Sequence, residues 1–118
     1  MKHNFKNLQI WIKSRALVKT IYALTTKLPG EEKFGLSLQI RRSVISISSN
    51  IAEGCGRGTD KQLAQFLDIA IGSSCELETQ LYLASDLSFF NSVEVENLVI
   101  EVSRVRKMMI SFKKTLDI

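Results

Sequence analysis

One histidine, one proline and two cysteines among 118 residues exclude several kinds of protein at once. The lone histidine, His3, leaves no partner for a histidine-based triad or acid–base pair. Cys55 and Cys75 stand twenty residues apart with no histidine near either, so they do not form a zinc site. They read as reduced thiols of a cytoplasmic protein rather than as a bridge. A single proline and six glycines supply too little punctuation for a turn-rich β protein. No apolar run approaches the roughly 20 residues that cross a bilayer. Lys13 and Arg15 interrupt the stretch around Ile10, Trp11 and Ile12 too soon for a secretory core.

What remains is 45% hydrophobic and 24% charged, the composition of one globular domain spanning residues 1–118 with a real core. Its punctuation falls at Pro29-Gly30, at the cluster Gly54, Gly56 and Gly58, and at Asn91-Ser92. Between these breaks lie four segments with helical periodicity. The first carries Ile10, Leu17, Ile21, Leu24 and Leu28, and the second Leu36, Ile40, Val44, Ile47 and Ile51. The third carries Leu63, Leu67, Ala70, Ser74, Leu77, Leu81 and Ala84. The fourth carries Val95, Val99, Val102, Val105, Met109, Phe112 and Leu116. Steps of three and four keep one apolar seam on each helix. Thr59 with Gln62, and Asn91 with Glu94, have the form of N-terminal caps. Gly54 suits a left-handed C-terminal cap. Short loops between long helices make neighbours antiparallel, so the sequence predicts an all-α, up-down-up-down four-helix bundle.

Some surfaces are not explained by these seams. Opposite the third seam lie Asp68, Gly72, Cys75, Thr79, Tyr82 and Asp86, small and weakly charged for an exposed face. Gly72 within a helix is about 1 kcal/mol less favourable than alanine, so something should offset it. The second helix adds Leu38, Ile45 and Ala52 off its seam. Either the core wraps further round these two helices, or the residues form a self-association interface. Gln39, Arg42, Ser46, Asn50 and Glu53 form a polar stripe that is a solvated face, a brace at the corner of helices two and three, or a ligand surface.

The net charge of +4 is unevenly spread. Residues 1–30 hold six basic residues and no acid, whereas residues 60–102 hold eight acids and one lysine. Lys6, Lys13 and Lys27 share a seven-residue spacing, and Arg104, Lys107 and Lys114 share another face. Matching between neighbours accounts for part of this pattern, and a phosphate-binding surface for the excess. The glycine cluster follows a helix and leads into Thr59-Asp60, so it is not a Walker loop. No metal, cofactor or catalytic residues are expected, and the chain is not expected to be an enzyme.

The run Leu38-Gln39-Ile40-Arg41-Arg42, then Ser46-Ile47-Ser48-Ser49-Asn50-Ile51-Ala52-Glu53-Gly54 and Arg57, resembles the signature of a four-helix bundle family. That family is linked to intervening sequences of large-subunit ribosomal RNA genes. Phe66-Leu67-Asp68-Ile69-Ala70, Gly72-Ser73 and Glu76-Leu77-Glu78-Thr79-Gln80-Leu81 resemble its third helix. Ser48 departs from a common proline, and Ile71 from a frequent polar or basic residue.

The resemblance implies a homopentamer, and through related accessory proteins of diversity-generating retroelements it implies binding to RNA or DNA and to a reverse transcriptase. Arg41, Arg42 and Arg57, with Lys13 and Lys107, are then the candidate nucleic-acid contacts. Asn50, Glu53 and Gly54 order the corner between helices two and three. Leu38, Ile45, Gly72, Cys75 and Thr79 become the candidate oligomer interface. The alternative is a protein-interaction scaffold that docks a polymerase-type partner without touching nucleic acid.

Overall fold

Each of the four apolar seams folds against its neighbours, and together they set the architecture. The structure, a computed structural model, describes residues 2–118. It contains α1 (Gln9–Thr25), α2 (Leu36–Gly56), α3 (Asp60–Asp86) and α4 (Ser92–Lys114), with single 3-10 turns at Phe5–Asn7 and Gly30–Glu32. Every helix packs on the next in the chain, and α4 closes back onto α1. The result is the antiparallel bundle that the sequence predicts, about 44 Å long and 24 by 19 Å across.

The core is made by the seam residues. Ile21, Ile40, Val44, Ile47, Ile51, Leu67, Leu77, Leu81, Val102 and Met109 have no exposed surface. Burial of each large aliphatic side chain contributes about 1.5–3 kcal/mol. Leu36 and Phe112 lie at the two ends of the barrel and are only partly covered. Leu28 and Leu116 are buried although the helices stop before them.

The caps form where the side chains allow. Thr59 Oγ1 accepts from the amide of Gln62 at 3.2 Å, and the Thr59 hydroxyl donates to Gln62 Oε1 at 2.9 Å. Asn91 Oδ1 accepts from the amides of Val93 and Glu94. Gly54 differs from the expectation. It is not a left-handed cap, because α2 continues through it to Gly56, and the left-handed residue of this loop is Gly58 at φ +92°. Gly54 is glycine for another reason: α3 crosses it so closely that a Cβ would meet Leu63 Cδ1 and Phe66 Cβ, each at 2.8 Å.

Both ends of the chain converge on one carboxylate. Asp60, the first residue of α3, accepts from Lys2 Nζ at 3.0 Å and from the Asp117 amide at 2.9 Å. His3 Nε2 lies 3.2 Å from its second oxygen, while the imidazole packs edge-on against Phe112. The Asp117 amide and then Lys2 hold the carboxyl down to about 2, against the opposing effect of burial.

Candidate functional site

The three signature arginines do not form one surface. Arg41 is half-buried, with its guanidinium over the Tyr22 ring at 4.3 Å and its Nε donating to Thr25 Oγ1 at 2.8 Å. It fastens α2 to α1. Arg57 stacks over Phe66 at 4.9 Å and lies 3.5 Å from Glu53. Fifteen residues separate Arg57 from Arg42, about 22 Å of helical rise. Arg42 is exposed at a shallow 240 Å³ niche shared with Ser46, Ser73 and Glu76, and it makes no ion pair among the described residues. Two of the three guanidiniums are therefore already engaged, by an aromatic face and an acceptor each.

The residues expected to order the corner also divide. Asn50 does not reach the glycine loop; its Nδ2 donates back to the carbonyl and hydroxyl of Ser46. Ser46 in turn shares a 2.7 Å hydrogen bond with Ser73, so Asn50 braces the middle of the α2–α3 joint. Glu53 is exposed, with Arg57 as its partner. Gly54 alone shapes the corner, by admitting α3.

The small faces of α2 and α3 are open in the single chain. Gly72, Cys75 and Thr79 are exposed, and Ile45 is 41% exposed, while Leu38 is half-buried. Ile69 at 50% and Leu83 at 47% extend this ridge along α3. A Cβ added at Gly72 would meet nothing within 4 Å. Nothing inside the bundle requires glycine there.

On the opposite side, α1 and α4 are separated by a furrow. Its main section, about 620 Å³, is lined by Lys19, Thr20, Ala23, Leu98 and Glu101 among others. It continues past Lys13, Ala16 and Val105, sharing Thr20, Leu98 and Glu101 with the main section. A further hollow at the same seam runs from Leu8 and Ile10 to Lys107 and Phe112. Sequence periodicity missed this feature. The available signal was Ala16, Thr20 and Ala23, three short side chains on one exposed flank of α1.

Charge follows the same division. Most basic residues late in α4 are matched: Arg106 to Glu78 at 2.6 Å, Lys113 to Asp68 at 2.7 Å, and Arg104 to Glu101 at 2.6 Å. Lys27 bridges to Glu94 across the furrow at 2.9 Å. Lys13, Lys19 and Lys107 make no ion pair among the described residues, and all three line the furrow. No group of three potential metal ligands comes together among the described residues, and no helix of theirs is long and apolar enough to cross a membrane.

This bundle has counterparts among known proteins. A crystal structure of a protein of unknown function from the S23 ribosomal protein family of Bacteroides thetaiotaomicron superimposes with a TM-score of 0.83. The two share 29% identity over 90% of this chain and 96% of that one. No curated protein matches. The model of the 23S rRNA-intervening sequence protein family matches residues 6–111. The signature residues, the bundle and this match agree: the chain belongs to the 23S rRNA-intervening sequence protein family.

Proposed function

We propose that this chain is a non-catalytic association protein, which joins copies of itself and offers the assembled surface to a partner. Gly72 carries the reading. An exposed glycine in the middle of a 27-residue helix sacrifices about 1 kcal/mol, and among the described residues nothing lies within 4 Å of where its Cβ would stand to require it. Close approach of another protein surface over Gly72, Cys75 and Thr79 does offset it. Ile45, Ile69 and Leu83 supply apolar area beside them. A ring of five copies is the assembly that the family resemblance implies, and a polymerase-type protein is the partner it suggests. Light scattering on nuclease-treated protein tests the reading. A mass that is a multiple of 13.3 kDa is expected, and a monomer at every concentration overturns it.

A second reading, binding of RNA or DNA as an accessory factor, is favoured by one observation. Residues 1–30 carry no acid, and Lys13 and Lys107 stay unpaired among the described residues. Phosphate contacts of that kind make log affinity fall linearly with log salt. Salt-sensitive retention of nucleic acid, weakened by Lys13→Glu and Lys107→Glu but not by Arg41→Ala, supports it. A protein partner that survives nuclease and high salt favours the scaffold instead.

A further inference from the structure

We infer that the niche between α2 and α3 is a binding site for a free α-amino acid, with its carboxylate on Arg42 and its ammonium on Glu76. The site is complete within one chain and does not depend on self-association. Its two charged side chains belong to opposite walls, Arg42 to α2 and Glu76 to α3, and both are exposed. Elsewhere in the bundle opposite charges on different helices close on one another. Arg106 meets Glu78 at 2.6 Å, Lys113 meets Asp68 at 2.7 Å, and Lys27 meets Glu94 at 2.9 Å. Arg42 and Glu76 border one hollow, yet form no ion pair among the described residues. That hollow measures about 240 Å³, below the roughly 300–1,000 Å³ of sites for drug-sized molecules. It suits a ligand of few heavy atoms.

The floor supplies donors that the chain itself leaves unused. Ser43 is only 6% exposed and lines the hollow, but its hydroxyl makes no hydrogen bond among the described residues. Ser46 and Ser73 share one hydrogen bond of 2.7 Å, and Asn50 Nδ2 donates to the Ser46 hydroxyl at 2.9 Å. Two hydroxyls joined by a single hydrogen bond keep one proton to donate elsewhere. A buried hydroxyl without a partner is unfavourable, and an acceptor seated over it removes that cost. Among the six lining residues the one charged acceptor is Glu76. Charge then selects the ligand. A simple anion attracted by Arg42 is repelled by Glu76, and a simple amine meets the reverse. An α-amino acid carries both charges one carbon apart. It satisfies both walls at once, through charge-assisted hydrogen bonds, and leaves carboxylate lone pairs for the floor hydroxyls.

Amide chemical shifts of the isotope-labelled chain test the site, with L-alanine as the probe. Alanine should move the amides of Ser43, Ser46, Ser73 and Glu76 along one saturable curve. Propionate lacks the ammonium and ethylamine lacks the carboxylate, so each should bind at least about tenfold more weakly. Glu76→Gln should abolish the preference for alanine over propionate, and Arg42→Gln the preference for alanine over ethylamine. Both positions are exposed and glutamine is a good helix former, so circular dichroism should report an unchanged fold. Ser43→Ala should weaken alanine binding without changing the order of the three probes. Absence of a saturable shift with alanine overturns the inference, since Arg42 and Glu76 then serve only each other or the solvent. Equal binding of the three probes, or charge variants that keep the wild-type order, overturns it as well.

Discussion

Gly54 of α2 and Phe66 of α3 lie so close that a Cβ on the glycine would come within 2.8 Å of the phenylalanine Cβ. Cβ atoms near the backbone cannot swing aside, so the two helices must separate if a methyl is added. Gly54→Ala should therefore destabilise the protein by about 1–3 kcal/mol, the usual consequence of overpacking. Gly72→Ala is the control, since open space surrounds it. At dilutions where the chain is monomeric it should stabilise by about 1 kcal/mol through helix propensity alone. Urea titration of the two variants gives opposite signs; the same sign for both would contradict the packing assigned to Gly54.

A second prediction concerns the joint between α3 and α4. Arg106 holds Glu78 at 2.6 Å and reaches the Ser74 hydroxyl at 3.4 Å, with both charged side chains largely shielded from solvent. Arg106→Met keeps much of the volume but leaves Glu78 without its partner. A loss of about 1–3 kcal/mol is expected. Much of it should be restored by adding Glu78→Gln, because the uncompensated charge is then gone. Arg104→Met removes an exposed pair and should change stability by less than about 1 kcal/mol.

These sites show how far a sequence alone reaches. The seams were legible because the 3.6-residue period places Ile21, Ile47, Leu77 and Val102 on faces that any bundle must bury. The caps at Thr59 and Asn91 were legible because they are local, each closing within three residues. Gly54 was misread because a cap and a helix crossing demand the same residue, and only the position of Phe66 distinguishes them. The separate settings of Arg41, Arg42 and Arg57 were illegible for a similar reason. Tyr22 stands nineteen residues before Arg41, and nothing in the spacing announces that the two stack. The furrow depends on how far α4 stands from α1, a distance set by the whole bundle.

Asp60 makes stability depend on pH in a defined window. Its folded-state value of about 2 lies below the ordinary 3.8, so the stability it contributes is present above pH 4 and is lost as pH falls towards 2. Asp60→Asn should flatten the dependence of Tm on pH across that window. It should also raise amide exchange in residues 2–8 and 115–118, because Lys2, His3 and the Asp117 amide all lose their common anchor. A melting profile between pH 4 and 2 that is unchanged by the substitution would show that the carboxylate does not hold the ends.

The two thiols should report assembly directly. Cys55 is 4% exposed and burial pushes its thiol pKa up, so it should react with an alkylating reagent only when the bundle opens. Cys75 is exposed on α3, one turn from Gly72, and should label readily in the isolated chain. Native dilute protein should thus take one label, and denatured protein two. Self-association over Gly72, Cys75 and Thr79 covers this face, so Cys75 labelling should slow as protein concentration rises, while Cys55 labelling in denaturant stays constant. Gly72→Gln should abolish that concentration dependence without altering the rate at high dilution. Labelling of Cys75 at one rate over the whole range in which the mass increases would place the interface elsewhere on the bundle.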